Sequence, residues 1–147
     1  VKDGIDDVGT TVTSVMSVSS APPLVAVGLT AAGYPAEVLE EVGTCALTVL
    51  AEPHAIIASR FSSAGRPSAR HLLEAVPWTR APASDAIVLG GGLSALDCRL
   101  ERLVEAGDHV LALLEVAQVL PGDPAGVPLL RHRGRYVDPT GSAAGRA

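Results

Sequence analysis

The stretch from Gly9 to Pro23, GTTVTSVMSVSSAPP, decides the reading of this chain. Small and β-branched residues follow one another without helical spacing, which favours an extended strand over a helix from Gly9 to Ser20. Ala21-Pro22-Pro23 ends that run, because proline cannot donate to a sheet ladder. Hydroxyls recur at Thr10, Thr11, Thr13, Ser14, Ser17, Ser19 and Ser20. Such a strand can offer backbone and hydroxyl donors to a planar, acceptor-rich ligand. On composition alone it reads equally as a polar edge strand.

Working outward, Asp3-Gly4 is a turn signal, and Leu24 to Leu29 (LVAVGL) is a short apolar strand. Pro35 opens a helix whose apolar face is Ala36, Val38, Leu39 and Val42, with Gly43 as its stop. Thr44 to Ala51 reads as a buried strand. Pro53 opens a second helix with Ile56, Ile57 and Phe61 inward. Ser62 to Ala86 reads as a long loop with one helical turn near His71 to Ala75. After Gly90-Gly91-Gly92, Leu96, Cys98 and Leu100 alternate with Asp97, Arg99 and Glu101, predicting a half-buried strand. The turn Ala106-Gly107-Asp108 joins it to a second long strand, His109 to Leu120. A last strand is expected from Pro128 to Val137, and a disordered tail over residues 138–147. The order contains no βαβ repetition, so a doubly wound sheet is set aside in favour of an antiparallel barrel with small helical insertions.

The 147 residues suit one domain, and only 18% are charged, against about 25% in an average soluble domain. The surplus of apolar residues points to a second buried surface such as a dimer interface. A net charge of -5 offers no field for a nucleic-acid backbone. No apolar run reaches the roughly 20 residues of a membrane helix, and the start does not read as a signal peptide. Cys45 and Cys98 form no CxxC and read as buried thiols of a reducing compartment, the cytoplasm. His54, His71, His109 and His132 are scattered, so no metal site is expected. The triple glycine lacks GxGxxG spacing and no nucleophile elbow is present. His109, at a hairpin corner, is either a solvated turn residue or one able to reach a bound substrate. Arg131, Arg133 and Arg135 either meet an anion from one face of a strand or protect an exposed edge.

Together these segments resemble the flavin reductase-like family. Gly9 to Ser14, then Ser17-Val18-Ser19, then Pro22-Pro23-Leu24 is similar to its "GmTvsS…SvS..PPl" signature. Arg60-Phe61 resembles its "RF", Ala106-Gly107-Asp108-His109 its "aGDH", and Leu129-Leu130 through Gly134-Arg135-Tyr136 its closing "lly..GrY". The resemblance implies a mainly β fold, the antiparallel Greek-key FMN-binding split β-barrel, over residues 1–137, and a homodimer. It also implies an NAD(P)H:flavin oxidoreductase that delivers reduced FMN or FAD to a partner flavin-dependent monooxygenase. By position, Thr11, Val12, Thr13, Ser14, Ser17 and Ser19 would approach the flavin ring. Thr30, Ala31, Ala32 and Gly33 would lie near its phosphate, and Ser59, Arg60 and Phe61 would also approach the flavin. His109, Arg135 and Tyr136 would meet the nicotinamide nucleotide, NADH or NADPH. No firm catalytic residue is implied, since the cofactors carry the chemistry.

Three departures from the family pattern stand out, one being that Ser62 to Arg70 does not match the family's usual acidic-aromatic pattern. The family has a helix and a barrel strand before the Gly9 segment, whereas this sequence begins almost directly at the hairpin, so an N-terminal strand is expected either to lie outside these residues or to be missing from the barrel. No Lys or Arg occurs between Leu24 and Ser59, leaving backbone amides, Thr30 and Arg60 for the phosphate. The alternatives are a repurposed split-barrel protein that catalyses a different biosynthetic reaction, and a non-catalytic accessory subunit.

Overall fold

Lys2–Asp3 (β1) and Asp6–Asp7 (β2) pair as a minimal hairpin about Gly4, whose φ of 52° suits glycine. The computed structural model describes residues 1–63, 68–137 and 139. The expected tail therefore lies outside the described residues, apart from Pro139.

The strand expected from Gly9 begins only at Val15 (β3, Val15–Ser20). Residues 9–14 lie ahead of the regular ladder, and Ser14 still meets β4, where its carbonyl accepts the Gly28 N–H. The Thr11 N–H donates to the Phe61 carbonyl at 3.3 Å and the Thr11 hydroxyl to the Ala58 carbonyl at 2.8 Å, so a helix holds this segment rather than a strand. Beyond the turn at Ala21-Pro22, β4 (Pro23–Thr30) runs back antiparallel to β3. Helix α1 (Tyr34–Val42) buries Ala36, Val38 and Leu39, and it stops where Gly43, at φ 72°, donates its N–H to the Leu39 carbonyl. It is followed by β5 (Thr44–Val49), a 3-10 turn at Glu52–His54 and α2 (Ala55–Phe61).

Ile57 and Phe61 share one face of α2 and are buried, as positions four apart must be. Ile56, expected inward, is turned out and exposed. The expected loop from Ser62 to Ala86 holds more structure than its composition suggests. Helix α3 (Ala69–Leu72) falls earlier than predicted, and β6 (Trp78–Arg80) pairs with β7 (Ile87–Leu89). Strand β6 depends on long-range bonds, since Arg80 is tied to Asp7, and a three-residue run carries no local signal of that.

Strands β8 (Ser94–Ala106) and β9 (His109–Pro121) form a long hairpin closed by Gly107-Asp108, with Gly107 at φ 69°. One antiparallel sheet runs β3-β4-β9-β8-β5, a Greek-key order. Two register shifts interrupt β8, one between Asp97 and Cys98. The expected alternation fails at Asp97, which is fully buried. Its carboxylate accepts the N–H groups of Ala83 and Ser84 at 2.7 and 3.1 Å and so closes the loop before β7.

The expected final strand is instead a hairpin, β10 (Leu130–His132) and β11 (Arg135–Val137). Arg133 at φ 48° and Gly134 at φ 78° form its turn, a two-residue connection of the kind that matches strand twist. The three arginines therefore do not share one strand face. Arg131 lies across from Tyr136, and His132 across from Arg135.

The main core packs Val27, Leu29, Leu39, Cys45, Cys98 and Leu114 between the sheet and α1. A smaller one joins Ile57, Phe61, Ala69 and Leu73. Burying each such large aliphatic side chain contributes about 1.5–3 kcal/mol. Among the described residues, no helix is long and apolar enough to cross a membrane.

Candidate functional site

The segment Thr10 to Thr13 forms a wall shared by two cavities, of about 880 and about 620 Å³. Either is within the usual range for a small-molecule site.

The larger cavity is a groove. Thr11, Val12, Thr13 and Ser14 line it from one side, and Thr30, Ala32 and Gly33 from the end of β4 and the start of α1. Phe61 and His109 complete it. These nine positions, singled out in the sequence, come together. Ala31 is adjacent but uses its N–H on the Asp108 carbonyl at 3.0 Å, which pins the start of α1 to the β8–β9 corner. Ser17 and Ser19 do not line either cavity; they lie on β3, at the edge of the sheet. Ser59 and Arg60 also stay outside, and the Ser59 carbonyl accepts from the Ser62 and Ser63 hydroxyls.

The groove is rich in uncommitted donors. The backbone N–H groups of Thr10, Val12 and Thr13 have no protein partner among the described residues. The same holds for Ala32 and Tyr34, where α1 begins and the helix dipole is positive. By contrast the Thr11 hydroxyl is spent on Ala58, so that side chain positions the wall. Gly9 lets the wall approach the Phe61 ring, since a Cβ there would lie 2.8 Å from Phe61 Cε1.

Sequence reasoning missed Asp6, Asp7, Gly28 and Ser68, which also line the groove. Gly28 carried a readable signal, a lone glycine inside the apolar run LVAVGL. Asp7 carried none, because its partners lie more than 60 residues away. Its buried carboxylate accepts from Arg80 Nη1 and Nη2 at 2.5 and 2.8 Å and from Arg70 Nε at 2.7 Å. Burial pushes the Asp7 carboxyl up, but the bonds from Arg80 and Arg70 outweigh it and hold it below the ordinary carboxylate range. Ser68 bonds Asp6 alongside.

At the other end, His109 Nδ1 donates to Asp108 Oδ1 at 2.7 Å, and Nε2 has no partner among the described residues. That bond holds Asp108 below its usual value. His109 is the strand neighbour of Thr30, so the hairpin corner and the α1 entry form one edge of the groove.

Tyr136 and Arg131 border the smaller, more apolar cavity, with the Arg131 guanidinium 5.8 Å from the centre of the Tyr136 ring. The Tyr136 hydroxyl is buried and has no hydrogen-bond partner among the described residues. Arg135 borders neither cavity.

A Greek-key antiparallel sheet whose edge strand continues into a donor-lined wall above two cavities defines a split-barrel protein of the flavin-binding class. The chain belongs to the flavin reductase like domain family, whose model matches residues 1–140. It is 36% identical over 127 residues to an NADH-dependent FMN reductase of Streptomyces nodosus subsp. asukaensis, covering 86% of this chain and 68% of that protein. It is 32% identical over 113 residues to an NADH-dependent FAD reductase of Streptomyces globisporus, covering 77% and 62%. The chain thus spans about two thirds of the length of these relatives. Among solved structures, BorF, the flavin reductase component of a bacterial two-component tryptophan halogenase, superposes with a TM-score of 0.85 at 26% identity, over 92% of this chain and 84% of BorF.

Proposed function

We propose that this chain is an NAD(P)H-dependent flavin reductase that supplies reduced FMN or FAD to a separate flavin-dependent monooxygenase. The observation that carries the reading is the wall from Thr10 to Thr13, which lines the groove together with His109 and the start of α1 and whose Thr10, Val12 and Thr13 amides have no protein partner among the described residues. The reductase relatives at 32–36% identity point the same way.

The residues present fit a flavin. Its ring has acceptors along one edge, and the amides of Thr10, Val12 and Thr13 with the Thr13 hydroxyl supply donors, while the Ser14 hydroxyl is held by the Gly28 carbonyl. Ala32, Tyr34 and Thr30 at the positive end of α1 suit the phosphate without a cation from that loop. A flavin held there would supply the redox chemistry, accepting a hydride from reduced nicotinamide. The protein's own part is to hold the two ring systems in register and to keep donors aimed where charge develops. Asp108 fixes His109 so that Nε2 can meet the nicotinamide nucleotide. Tyr136, with its unpartnered hydroxyl, suits the same ligand from the second cavity.

Residues 1–137 act as one domain in this reading, and the working form is a homodimer. Exposed apolar residues on the edge strand β3, Met16 and Val18, support that assembly.

Purified protein is mixed with NADH or NADPH and then with FMN or FAD under argon. Rapid bleaching of added flavin with stoichiometric loss of reduced nicotinamide is expected. Bound flavin that stays oxidised in the presence of both nucleotides would overturn the assignment.

A further inference from the structure

Cys45 and Cys98 are direct partners across β5 and β8, and both are reduced and buried. In an antiparallel pair, facing Cα atoms lie about 4.5–5.5 Å apart. A disulfide needs Cα atoms about 4.4–6.8 Å apart, so the strands already hold the two residues at bridging distance. The two thiols differ in access. Cys45 borders the smaller cavity, whereas Cys98 lies behind it.

We propose that Cys45 and Cys98 form a redox-active thiol pair, which hydrogen peroxide entering from the cavity oxidises to an intrachain disulfide. The Cys45 thiolate attacks one peroxide oxygen, the O–O bond breaks, and Cys45 becomes a sulfenic acid as hydroxide leaves and takes up the thiol's proton to give water. The Cys98 sulfur then attacks the Cys45 sulfur and displaces the hydroxyl as a second water. Two thiols and one peroxide give one disulfide and two waters. A dithiol reverses the step by exchange.

The order of attack follows from the pair. Cys45 borders the cavity that peroxide enters and Cys98 does not, and the hydrogen bond from the Cys98 thiol also favours the Cys45 thiolate, while Cys45 and burial both raise Cys98. Peroxide has a local source if the chain reduces flavin, because free reduced flavin reacts with dioxygen to form it. Only that source rests on the proposed activity. The thiol chemistry does not.

The test uses the folded chain, reduced and desalted, then exposed to hydrogen peroxide without flavin or nucleotide. After alkylation, intact mass and peptide mapping should show the loss of two hydrogens and a Cys45–Cys98 linked peptide, both reversed by dithiothreitol. In Cys98→Ser, Cys45 should stop at a sulfenic acid that dimedone traps. In Cys45→Ser, Cys98 should remain alkylatable. Thiols that both stay alkylatable in the folded wild-type chain, or a link found only between chains or only after unfolding, would overturn the proposal. Because no flavin turnover is read, failure here leaves the reductase assignment standing, and the converse also holds.

Discussion

Gly28 and Ser14 meet backbone to backbone. The Gly28 N–H donates to the Ser14 carbonyl at 3.0 Å, and the Ser14 hydroxyl lies 3.3 Å from the Gly28 carbonyl that accepts it. A Cβ on residue 28 would stand 2.7 Å from Ser14 Oγ and 3.3 Å from Ser14 Cβ, so a larger residue there has to displace Ser14 where the donor-lined wall joins β4. Gly28→Val should push this wall into the groove. A displacement near 1 Å costs up to about 100-fold in rate when positioning is the whole contribution of the protein. The expected result is a fall in kcat/KM for flavin of about 10- to 100-fold with the fold retained. Steady-state kinetics with circular dichroism as control checks it, and an unchanged kcat/KM would show that the ring lies elsewhere.

Asp7 ties β2 to Arg70 on α3 and to Arg80 on β6, and its carboxyl is held below the ordinary carboxylate range. A carboxyl depressed in the folded state stabilises the fold fully above its unfolded pKa and loses that contribution as the pH falls through the folded pKa. Stability should therefore decline on acidification below about pH 4. Asp7→Asn should lower stability near neutral pH by about 1–3 kcal/mol, because it leaves two guanidinium groups without their carboxylate. The variant should also lose less on acidification than the wild type. Urea titrations at pH 7 and at mildly acidic pH measure both, and parallel pH curves for the two proteins would rule out this role.

Much of the architecture was legible because it is written in local chemistry. The double proline ended β3, Pro35 and Gly43 bracketed α1, and Gly107-Asp108 closed the longest hairpin. What escaped depends on distant partners. Thr11 looks like a strand residue until Ala58 and Phe61 take its hydroxyl and N–H. Asp97 looks outward in an alternating pattern until the amides of Ala83 and Ser84 draw it in at a bulge. The groove followed the same rule: the hydroxyl-rich wall and His109 stood out within their own segments and Thr30 through the family resemblance, whereas Asp7 did not.

Asp97 is a buried carboxylate whose described hydrogen bonds come from two loop amides, so its removal tests that distinction. Asp97→Ala should leave the Ala83 and Ser84 N–H groups unsatisfied at a cost of about 1–3 kcal/mol. Hydrogen exchange should quicken first at Ala83, Ser84 and the β6–β7 pair. Uniform loss of protection across the five-stranded sheet would contradict a local anchoring role.

At the groove edge, His109 Nε2 has no partner among the described residues while Asp108 holds Nδ1. A hydrogen bond to a charged group contributes about 1.5–3 kcal/mol, or roughly 10- to 100-fold in affinity. His109→Ala should raise KM for NADH by about tenfold or more and KM for flavin by less. Asp108→Asn should shift KM for NADH in the same direction but by a smaller factor, since the imidazole remains and only its orientation loosens. Equal changes in both KM values would move His109 out of the nucleotide subsite.

The edge strand β3 reads VMSVSS and carries no charge, while Val15, Met16 and Val18 are 46%, 61% and 46% exposed. Unpaired edges invite pairing with another chain, and monomeric proteins usually blunt them with lysine, proline or a covering segment. Among the described residues β3 pairs only with β4, and its bulge between Ser17 and Ser19 leaves Met16 and Val18 outward. A second copy of the chain would cover these side chains and close the adjoining apolar cavity. Met16→Glu would then place a charge in a buried interface, and the dimer should dissociate at micromolar concentration. Light scattering after gel filtration should give the dimer mass for the wild type and the monomer mass for the variant. A wild-type chain that runs as a monomer at every concentration would leave β3 as an ordinary exposed edge.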